Sequence, residues 1–338
     1  MANPLDALLA EKGVLLADGA TGTNLFNMGL ESGEAPELWN ETQPEKIADL
    51  HQGFVDAGAD IILTNSFGGT RHRLKLHHAQ DRVHALNKQA AVIARAVAEK
   101  AGRKVIVAGS VGPTGELLEP LGALTYDDAV DAFVEQMEGL KAGGVDVAWI
   151  ETMSAPAEAR AAADAAIKVG LPYTYTVSFD TAGRSMMGLH PRDIHGVSDG
   201  LSEEPRAVGA NCGVGASDIL SSLLDMTSAK PDATIIVKGN CGIPEFHGTE
   251  IHYSGTPELM ADYARLAMDG GAKIIGGCCG TSFGHLKAMR EAIDGHTKAE
   301  RPTVETITSR IGPLRNKQAD ESGAAPSGEG GGRRRRRG

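Results

Sequence analysis

The chain has 338 residues, of which 41% are hydrophobic and 23% are charged, as is usual for a globular protein of one large domain or two small ones. Its formal net charge is −11, and since Arg333–Arg337 carry five positive charges, the remainder carries −11 − 5 = −16. Such an acidic body argues against nucleic-acid binding and offers no basic face to a membrane. No apolar run approaches the roughly 20 residues of a membrane span.

The cysteine content and the first residues indicate a reducing compartment. Met1–Asp6 contains neither a basic segment nor an apolar core, so no export signal is recognised. Four cysteines in so long a chain do not form a disulfide framework, and we expect them to be metal ligands or packing residues. The sequence therefore predicts a cytoplasmic protein and leaves a homo-oligomer open.

Short apolar runs alternate with amphipathic stretches along the chain, and several of the runs are continuously apolar, as in parallel strands covered on both faces. The eight predicted strands are Val14–Ala17, Asp60–Thr64, Lys104–Ala108, Asp146–Ile150, Tyr173–Ser178, Ala207–Ala210, Thr234–Val237 and Lys273–Ile275. The clearest helix is Thr125–Leu140, with Thr125 and Asp128 as a capping pair. This alternation predicts a (β/α)8 barrel, and a doubly wound open sheet is the alternative.

Glycine marks the junctions between helices and strands. The pattern recurs at Asp56–Asp60, Ala142–Asp146 and Asp269–Lys273, where a glycine after the helix supplies the left-handed cap. The pattern fades after about Gly312. We therefore predict one barrel over residues 1–312 and a disordered Gly/Ser/Arg-rich tail over residues 313–338. Binding of nucleic acid or an acidic partner by Arg333–Arg337 is the alternative to a solvated tail.

Two adjacent cysteines lie at the end of the last predicted strand, in the Gly-Gly-Cys-Cys-Gly segment Gly276–Gly280. Neighbouring side chains of a strand point to opposite faces, but the flanking glycines permit a turn that directs Cys278 and Cys279 to one side. Cys212 follows the sixth strand in a similar glycine-rich setting. In a barrel, both strand ends reach the same mouth, where active sites lie.

Three thiolates with one vacant position form the ligand set of a catalytic zinc site. Buried packing of the thiols and a strained disulfide between Cys278 and Cys279 are the alternatives. Zinc held by three thiolates is suited to binding a substrate thiol, lowering its pKa and holding it as a nucleophilic thiolate. If the thiol belongs to a small amino acid, Asp18 and Glu151, at the ends of strands one and four, are the carboxylates placed to bind its ammonium group. Capping of a turn or helix is the alternative role for each.

Together these stretches resemble the homocysteine S-methyltransferase family. The resemblance extends from about Val14 to Ala292 and is carried by Asp18–Thr23, Thr64–Phe67, Gly109–Pro113, Asn211–Cys212 and Gly276–Gly280. It implies a zinc-bearing (β/α)8 barrel that transfers a methyl group to homocysteine and yields methionine.

The resemblance also implies roles for particular residues. Cys212, Cys278 and Cys279 would be the catalytic zinc ligands, and Asp18 and Glu151 would bind the amino group of homocysteine. Ser110 and Asn240 are expected in the wall of the same pocket. Cys241 is additional, and we leave it out of the metal site.

The methyl donor is less well defined by the resemblance. Family members take the methyl group from glycine betaine, S-methylmethionine, methylfolate or a cobalamin-bound methyl group. The chain shows no further domain for cobalamin or folate, which favours a small free donor, with glycine betaine first. A quaternary ammonium group prefers aromatic faces, and Trp39, Phe67 and Tyr175 are the candidates. Trp39 packed in the core is the alternative, and Gly68 stands where betaine-using relatives carry tyrosine.

Two other classes of function remain open. Glycine-rich loops can bind phosphate, so a barrel lyase or isomerase acting on a phosphorylated substrate is one. A non-catalytic metal-binding or RNA-binding protein that works through Arg333–Arg337 is the other. Activity without zinc would favour the first, and binding that is lost with the tail would favour the second.

Overall fold

Eight parallel strands form the sheet that the alternating pattern predicts. The computed structural model describes residues 3–242, 244–247 and 250–316. The barrel strands are β1 (Leu15–Leu16), β2 (Ile61–Leu63), β3 (Ile106–Val111), β4 (Val147–Met153), β5 (Tyr173–Val177), β6 (Ala207–Cys212), β7 (Ile235–Gly239) and β10 (Ile274–Gly277). Their hydrogen-bonded order is β1-β10-β7-β6-β5-β4-β3-β2, so each strand lies beside its neighbour along the chain.

Strands β1 and β2, at the two ends of this order, meet and close the ring. Ala17 and Ile61 form a parallel bridge. Asp60 N donates to Leu16 O at 2.7 Å, and Asp18 N donates to Ile61 O at 3.0 Å. The sheet is therefore a (β/α)8 barrel, also called a TIM barrel, and the doubly wound open sheet is excluded.

Helices surround the barrel and begin and end at the signals that the sequence carries. They are α1 (Pro4–Lys12), α2 (Thr21–Asn27), α3 (Trp39–Thr42), α4 (Pro44–Asp56), α5 (Arg71–Leu74), α6 (Val83–Lys100), α7 (Tyr126–Gly143), α8 (Pro156–Val169), α9 (Ala216–Ala229), α10 (Pro257–Gly270), α11 (Phe283–Gly295) and α12 (Val304–Ile311). Thr125 caps α7, because its hydroxyl accepts a hydrogen bond from Asp128 N at 3.1 Å. Gly58, Gly144 and Gly271 have φ angles of +99°, +94° and +100°, which confirms the predicted left-handed junctions.

Five strands extend beyond their predicted ends. The sequence predicts that β3, β4, β6, β7 and β10 stop where polar residues or glycines begin, but the backbone ladder continues because it does not depend on side-chain polarity. Asn211 pairs with Lys238, and Cys212 pairs with Gly239. Ser110, Glu151 and Cys212 consequently lie in the last residues of strands rather than in loops.

An antiparallel hairpin, which the sequence analysis did not predict, interrupts the connection between β7 and α10. Its strands are β8 (Pro244–His247) and β9 (Glu250–Tyr253), with Pro244 opposite Tyr253. The connection follows the C-terminal end of β7, so the hairpin lies on the side of the barrel where the strand ends meet.

Alternate residues of the strands fill the barrel interior. This cluster contains Leu15, Ala17, Ile61, Leu63, Ile106, Ala108, Val147, Trp149, Ala207, Ile236 and Ile274, together with Leu5 and Leu8 of α1, and all are buried. At the N-terminal end of the strands, the carboxylate of Asp60 is 1% exposed and pairs with Lys12 Nζ at 2.6 Å and Arg290 Nη1 at 3.0 Å. The half of the barrel at the N-terminal ends of the strands is thus a closed core, which leaves the mouth at the C-terminal ends for a ligand.

The last described residues pack against the barrel. Backbone N–H groups of Arg315 and Asn316 donate to the carboxylate of Asp218 in α9. The predicted disordered tail falls largely on residues 317–338, including Arg333–Arg337, which lie outside the described residues. The described helices include none with the length and apolarity to cross a bilayer.

Candidate active site

Three cysteines come together at the C-terminal mouth of the barrel. The Sγ atoms of Cys212, Cys278 and Cys279 all lie within 4.8 Å of one another. All four cysteines of the chain are free thiols, and Cys241 lies apart, donating its S–H to Gly255 O at 3.3 Å. The convergence that strand order predicts for Cys212 and Cys278 is therefore present.

Left-handed backbone at the end of β6 directs Cys212 into the mouth. Cys212 has a φ of +61°, which is uncommon for a residue with a side chain, and Gly213 follows with +74°. The residue before them is fixed by the neighbouring strands. Asn211 Oδ1 accepts hydrogen bonds from Thr152 N at 2.8 Å and Thr176 Oγ1 at 2.6 Å. This anchoring holds in place a conformation that costs about 1–3 kcal/mol in isolation.

Cys278 and Cys279 lie just past the end of β10, so the alternation of a strand no longer applies to them. Cys278 N donates to Gly239 O at 2.8 Å. Cys279 N donates to Asn240 Oδ1 at 3.1 Å. Gly280 has a φ of +80° and turns the chain away. The glycines therefore allow adjacent thiols to share one partner, as the sequence predicts.

Asn240 braces this cluster from the end of β7. Its Nδ2 donates to Gly213 O at 2.7 Å and lies 3.8 Å from Cys212 Sγ, while its Oδ1 accepts from Cys279 N. The sequence analysis placed Asn240 in the pocket wall. In the structure it links the loop that carries Cys212 to the loop that carries Cys279.

The three thiols suit a thiophilic divalent cation. A hydrogen bond with Cys212 and burial raise the pKa of Cys278 to about 12. A bound cation reverses this effect, because it favours the thiolate forms that coordinate it. Sulfur atoms that share one zinc ion at about 2.3 Å lie about 3.8 Å apart, which is compatible with the separations here.

A cavity of about 350 Å³ opens beside the three cysteines. Its inner wall is formed by strand ends and its outer wall by the connections after β1 and β2. The lining residues used below are Glu37, Phe67, Arg73, His77, Ser110, Glu151, Thr152, Lys238 and the three cysteines. The volume fits a small amino acid with a second small molecule or part of one.

Glu151 presents a carboxylate to this cavity. Its Oε1 accepts a hydrogen bond from Ser110 Oγ at 2.5 Å, and the residue is 8% exposed. Burial raises the pKa of Glu151, while Lys238 and Ser110 oppose that effect. Both predicted residues, Glu151 and Ser110, therefore line the same wall.

Asp18 lies behind the cavity wall and is paired with a lysine that the sequence analysis did not consider. Lys238 Nζ donates to Asp18 Oδ1 at 2.7 Å, and Leu63 N donates to Asp18 Oδ2 at 2.7 Å. Burial raises the pKa of Asp18 against the effect of Lys238. Burial alone would lower the pKa of Lys238, but the neighbouring carboxylates of Asp18 and Glu151 outweigh that effect and raise it.

The three candidate aromatic residues occupy different places. Tyr175 is fully buried, and its hydroxyl donates to Ile194 O at 2.8 Å. Phe67 lines the cavity and is 38% exposed. Trp39 is 6% exposed, packs in the core and has Lys46 Nζ 4.5 Å from its ring centroid. Among the described residues that line the cavity, Phe67 is the only Phe, Tyr or Trp. Trp39 is therefore packed in the core, as the alternative interpretation of the sequence predicts, and does not line the cavity.

Sequence reasoning missed four further residues of the site. Lys238 directly follows the apolar run Ile235–Val237, so a lone cation at the end of a buried strand is the signal that could have identified it. Glu37 and Arg73 line the outer cavity, and burial raises the pKa of Glu37, which accepts from Gly68 N at 2.6 Å. Tyr253 lies against Gly280, and burial together with Cys279 raises its pKa to about 12. Glu37 and Arg73 lie in short helical segments and Tyr253 ends the hairpin strand β9, and none of these segments is long enough to carry a periodic signal.

The class of protein that these features define is a TIM barrel with the side chains to hold a metal ion beside a ligand cavity at its C-terminal mouth. The family model for homocysteine S-methyltransferase matches residues 15–293 of the chain. The chain belongs to the homocysteine S-methyltransferase family.

Curated relatives are much longer than this chain. It is 29% identical to the methionine synthase of Mycobacterium tuberculosis over 88% of this chain and 26% of that protein. It is 29% identical to the methionine synthase of Mycobacterium leprae over 83% of this chain and 24% of that protein. The chain therefore spans about a quarter of the length of these relatives.

Solved structures show the same fold. The metallated homocysteine methyltransferase MmuM of Escherichia coli matches with a TM-score of 0.71 at 24% identity, covering 86% of this chain and 99% of that one. The apo form of MmuM matches with a TM-score of 0.66 at 22% identity, covering 86% of this chain and 100% of that one.

Proposed function

We propose that this protein is a zinc-dependent methyltransferase that moves a methyl group from a small donor to homocysteine and yields methionine. The observation that carries the proposal is the convergence of Cys212, Cys278 and Cys279 beside a cavity that also presents Glu151. Membership of the family supports homocysteine as the acceptor. The names of the mycobacterial relatives, which are methionine synthases, agree with methionine as the product.

The three cysteines would hold zinc as thiolates and leave one position open toward the cavity. When bound, zinc lowers the pKa of the homocysteine thiol, so that a thiolate is available near neutral pH. Asn240 and Asn211 hold the backbone segments that carry the cysteines in place through the hydrogen bonds described above. No general base is needed at the transfer step, because the thiol has already lost its proton.

Glu151 would bind the ammonium group of homocysteine, with Ser110 orienting the carboxylate. The homocysteine sulfur then attacks the donor methyl carbon in line with the bond that breaks. A new C–S bond forms, and the electron pair of the broken bond leaves with the donor. The chain contributes by holding the two reactants in this geometry and by excluding water from the narrow inner cavity.

Glycine betaine is the donor that we propose to test first. Phe67 offers an aromatic face in the cavity wall for its quaternary ammonium group. The remaining volume suits a small free donor. We keep S-methylmethionine and other sulfonium compounds as alternatives, because the same face would bind their charge.

A second candidate is a methyl donor carried by another protein, such as a corrinoid or folate protein. The observation that favours it is that the chain spans only about a quarter of the mycobacterial methionine synthases. Trp39 is also packed in the core, which leaves Phe67 as the single ring of this kind in the described wall.

The test is methionine formation by reduced, zinc-loaded protein given homocysteine and glycine betaine, with a chelated sample as control. S-methylmethionine and free methylcobalamin serve as probes of the alternatives. Zinc-dependent methionine with glycine betaine supports the first proposal. Methionine with methylcobalamin alone supports the second candidate, and activity that persists after chelation and verified metal loss contradicts the zinc mechanism.

Substitution of one ligand gives the matching prediction. In Cys279→Ala we expect zinc content, measured by metal analysis, and methionine formation to be lost together, because two thiolates bind zinc far more weakly than three. Cys241→Ala is the matched control, since Cys241 lies outside the cluster. Full turnover by a zinc-free Cys279→Ala protein would refute the assignment.

A further inference from the structure

Lys238 stands between the buried carboxylate of Asp18 and the cavity. Its side chain is 3% exposed and ion-paired to Asp18, yet Lys238 lines the cavity and Asp18 lies behind it. The second oxygen of Asp18 accepts from Leu63 N. Both carboxylate oxygens are thus bound by the protein itself. The charged group that this part of the wall offers to a ligand is therefore the ammonium group of Lys238.

Glu151 supplies the opposite charge on the same wall. Ser110 donates to its Oε1, and among the described residues no hydrogen bond reaches its Oε2. Glu151 and Lys238 both line this cavity. One carboxylate beside one ammonium group matches a ligand that carries one of each, as the zwitterion of an α-amino acid does.

We propose that Lys238 binds the α-carboxylate of the amino-acid thiol and that Asp18 acts as the positioning residue for Lys238. This inference rests on the proposed function and names the headgroup contacts of its acceptor. Glu151 keeps the ammonium group. Strand pairing supports the distances, because Lys238 is paired with Gly276, two residues before Cys278. An α-carboxylate held there leaves the thiol of the same small molecule within reach of the cysteines.

The sequence analysis gave Asp18 the same role as Glu151. Direct contact between a substrate ammonium group and Asp18 requires Lys238 to leave a 2.7 Å ion pair in a buried setting. Such a step is unfavourable because it leaves a buried charge without its partner. The arrangement in which Asp18 orients Lys238 keeps the Asp18–Lys238 ion pair intact both before and after the substrate binds.

Binding of three small thiol compounds distinguishes the proposed roles of Lys238 and Glu151. Homocysteine carries both charged groups, 4-mercaptobutanoate lacks the ammonium group, and 3-aminopropane-1-thiol lacks the carboxylate. Calorimetric titration of full-length, reduced, zinc-loaded protein gives a Kd for each. In Lys238→Met, we expect the Kd of homocysteine and of 4-mercaptobutanoate to rise by about 10- to 100-fold, the usual cost of a charge-assisted hydrogen bond. The Kd of 3-aminopropane-1-thiol should change by less than about threefold.

Two further variants keep the result decisive. Asp18→Asn combined with Lys238→Met removes both buried charges, so it avoids an unpaired carboxylate and should repeat the selective loss if the single variant folds poorly. Lys273→Met is the matched control, because Lys273 is an exposed lysine at the opposite end of the barrel, and it should leave all three Kd values unchanged.

Equal weakening of all three thiols in Lys238→Met and in the double variant would overturn the proposal, since it would mean that Lys238 only orders the site. Failure of the wider function gives a different result. Wild-type protein that binds homocysteine but forms no methionine with any donor contradicts methyl transfer, while the Kd ratios still decide the role of Lys238. Wild-type protein that binds none of the three thiols contradicts both.

Discussion

Ser110 controls the charge of the carboxylate that faces the cavity. Glu151 is buried, and burial favours its neutral form and raises its pKa. The hydrogen bond from Ser110 Oγ favours the ionised form and partly opposes that effect. Only the carboxylate form attracts a substrate ammonium group. Binding of the amino acid should therefore be present above the raised pKa of Glu151 and be lost as the pH falls through it.

Ser110→Ala tests this control. Removing the hydroxyl removes an influence that lowers the pKa of Glu151, so that pKa rises further and the acid limb of homocysteine binding should move to higher pH. Binding well above neutrality should change little. The measurement is the Kd of homocysteine as a function of pH. Ser309→Ala, an exposed hydroxyl on α12 that bonds only within its own helix, is the control. If the acid limb of homocysteine binding does not move in Ser110→Ala, the proposed effect of Ser110 on the pKa of Glu151 is refuted.

The residues of this site that could bind a metal ion or a substrate differ in how far the sequence could predict them. Cys212, Cys278 and Cys279 were predicted because strand ends of a barrel converge, whatever the details of packing. The ion pair of Lys238 with Asp18 was not predicted, because the two residues are on β7 and after β1, with β10 between them. Which buried carboxylate meets which cation depends on rotamers and side-chain depth. Strand periodicity carries no information on either.

At the scale of elements, close backbone approach positions the strand that carries Cys212. A Cβ atom at Gly209 of β6 would lie 1.9 Å from Ile236 O of β7. The clash is with backbone, which cannot rotate away as a side chain can. Gly209 therefore sets the spacing of β6 and β7, the two strands that end in Cys212 and Gly239.

We expect Gly209→Ala to destabilise the protein by about 3 kcal/mol or more, at or beyond the upper end of the overpacking range, and to weaken zinc binding. Gly284→Ala is the matched control. Gly284 lies in α11, where an added Cβ would meet only Ser282 Oγ at 3.9 Å, so the change should be neutral or stabilise by up to about 1 kcal/mol. Chemical denaturation and a competitive zinc titration measure both effects. An unaltered unfolding midpoint in Gly209→Ala would contradict this account.

The elements themselves were largely predictable because they are repeated. Eight apolar runs with glycine junctions gave the barrel, and Thr125 marked the start of α7 correctly. The hairpin β8–β9 was not predicted, because two four-residue strands inside a loop provide too little periodicity. The predicted ends of β3, β4, β6, β7 and β10 are too early. There the sequence changes to polar residues or glycines, but the hydrogen-bond ladder continues.

At the scale of the whole molecule, the end of the barrel opposite the site is held by one carboxylate. Asp60 is buried, accepts from Leu16 N at 3.0 Å and pairs with Lys12 of α1 and Arg290 of α11. It thereby connects the first helix, the β1–β2 closure and a late helix. A buried charge with several partners is costly to disrupt from one side, because the remaining charges lose their compensation.

Asp60→Ala should therefore lower the free energy of unfolding by about 3–5 kcal/mol, as for one side of a buried ion pair. Asp294→Ala is the matched control, because Asp294 also pairs with Arg290 but its side chain is 65% exposed, and its loss should cost less than about 1 kcal/mol. Both are measured by denaturant unfolding with zinc present. A small effect at Asp60 would show that the barrel is closed mainly by its backbone hydrogen bonds.

The pairing of the first strand with the last has a consequence for how the protein is made. Gly277 N donates to Asp18 O, and Ala20 N donates to Thr281 O, so the loop that carries Cys278 and Cys279 is fixed by residues from the other end of the chain. A ribosome that adds about 5–20 residues per second needs several seconds to extend the nascent chain from Cys212 to Cys278. During that interval Cys212 is already synthesised without its partner thiols. A metal ion that needs all three thiols could therefore be bound only after the chain has been synthesised beyond Cys279, and the thiol of Cys212 lacks these partners until then.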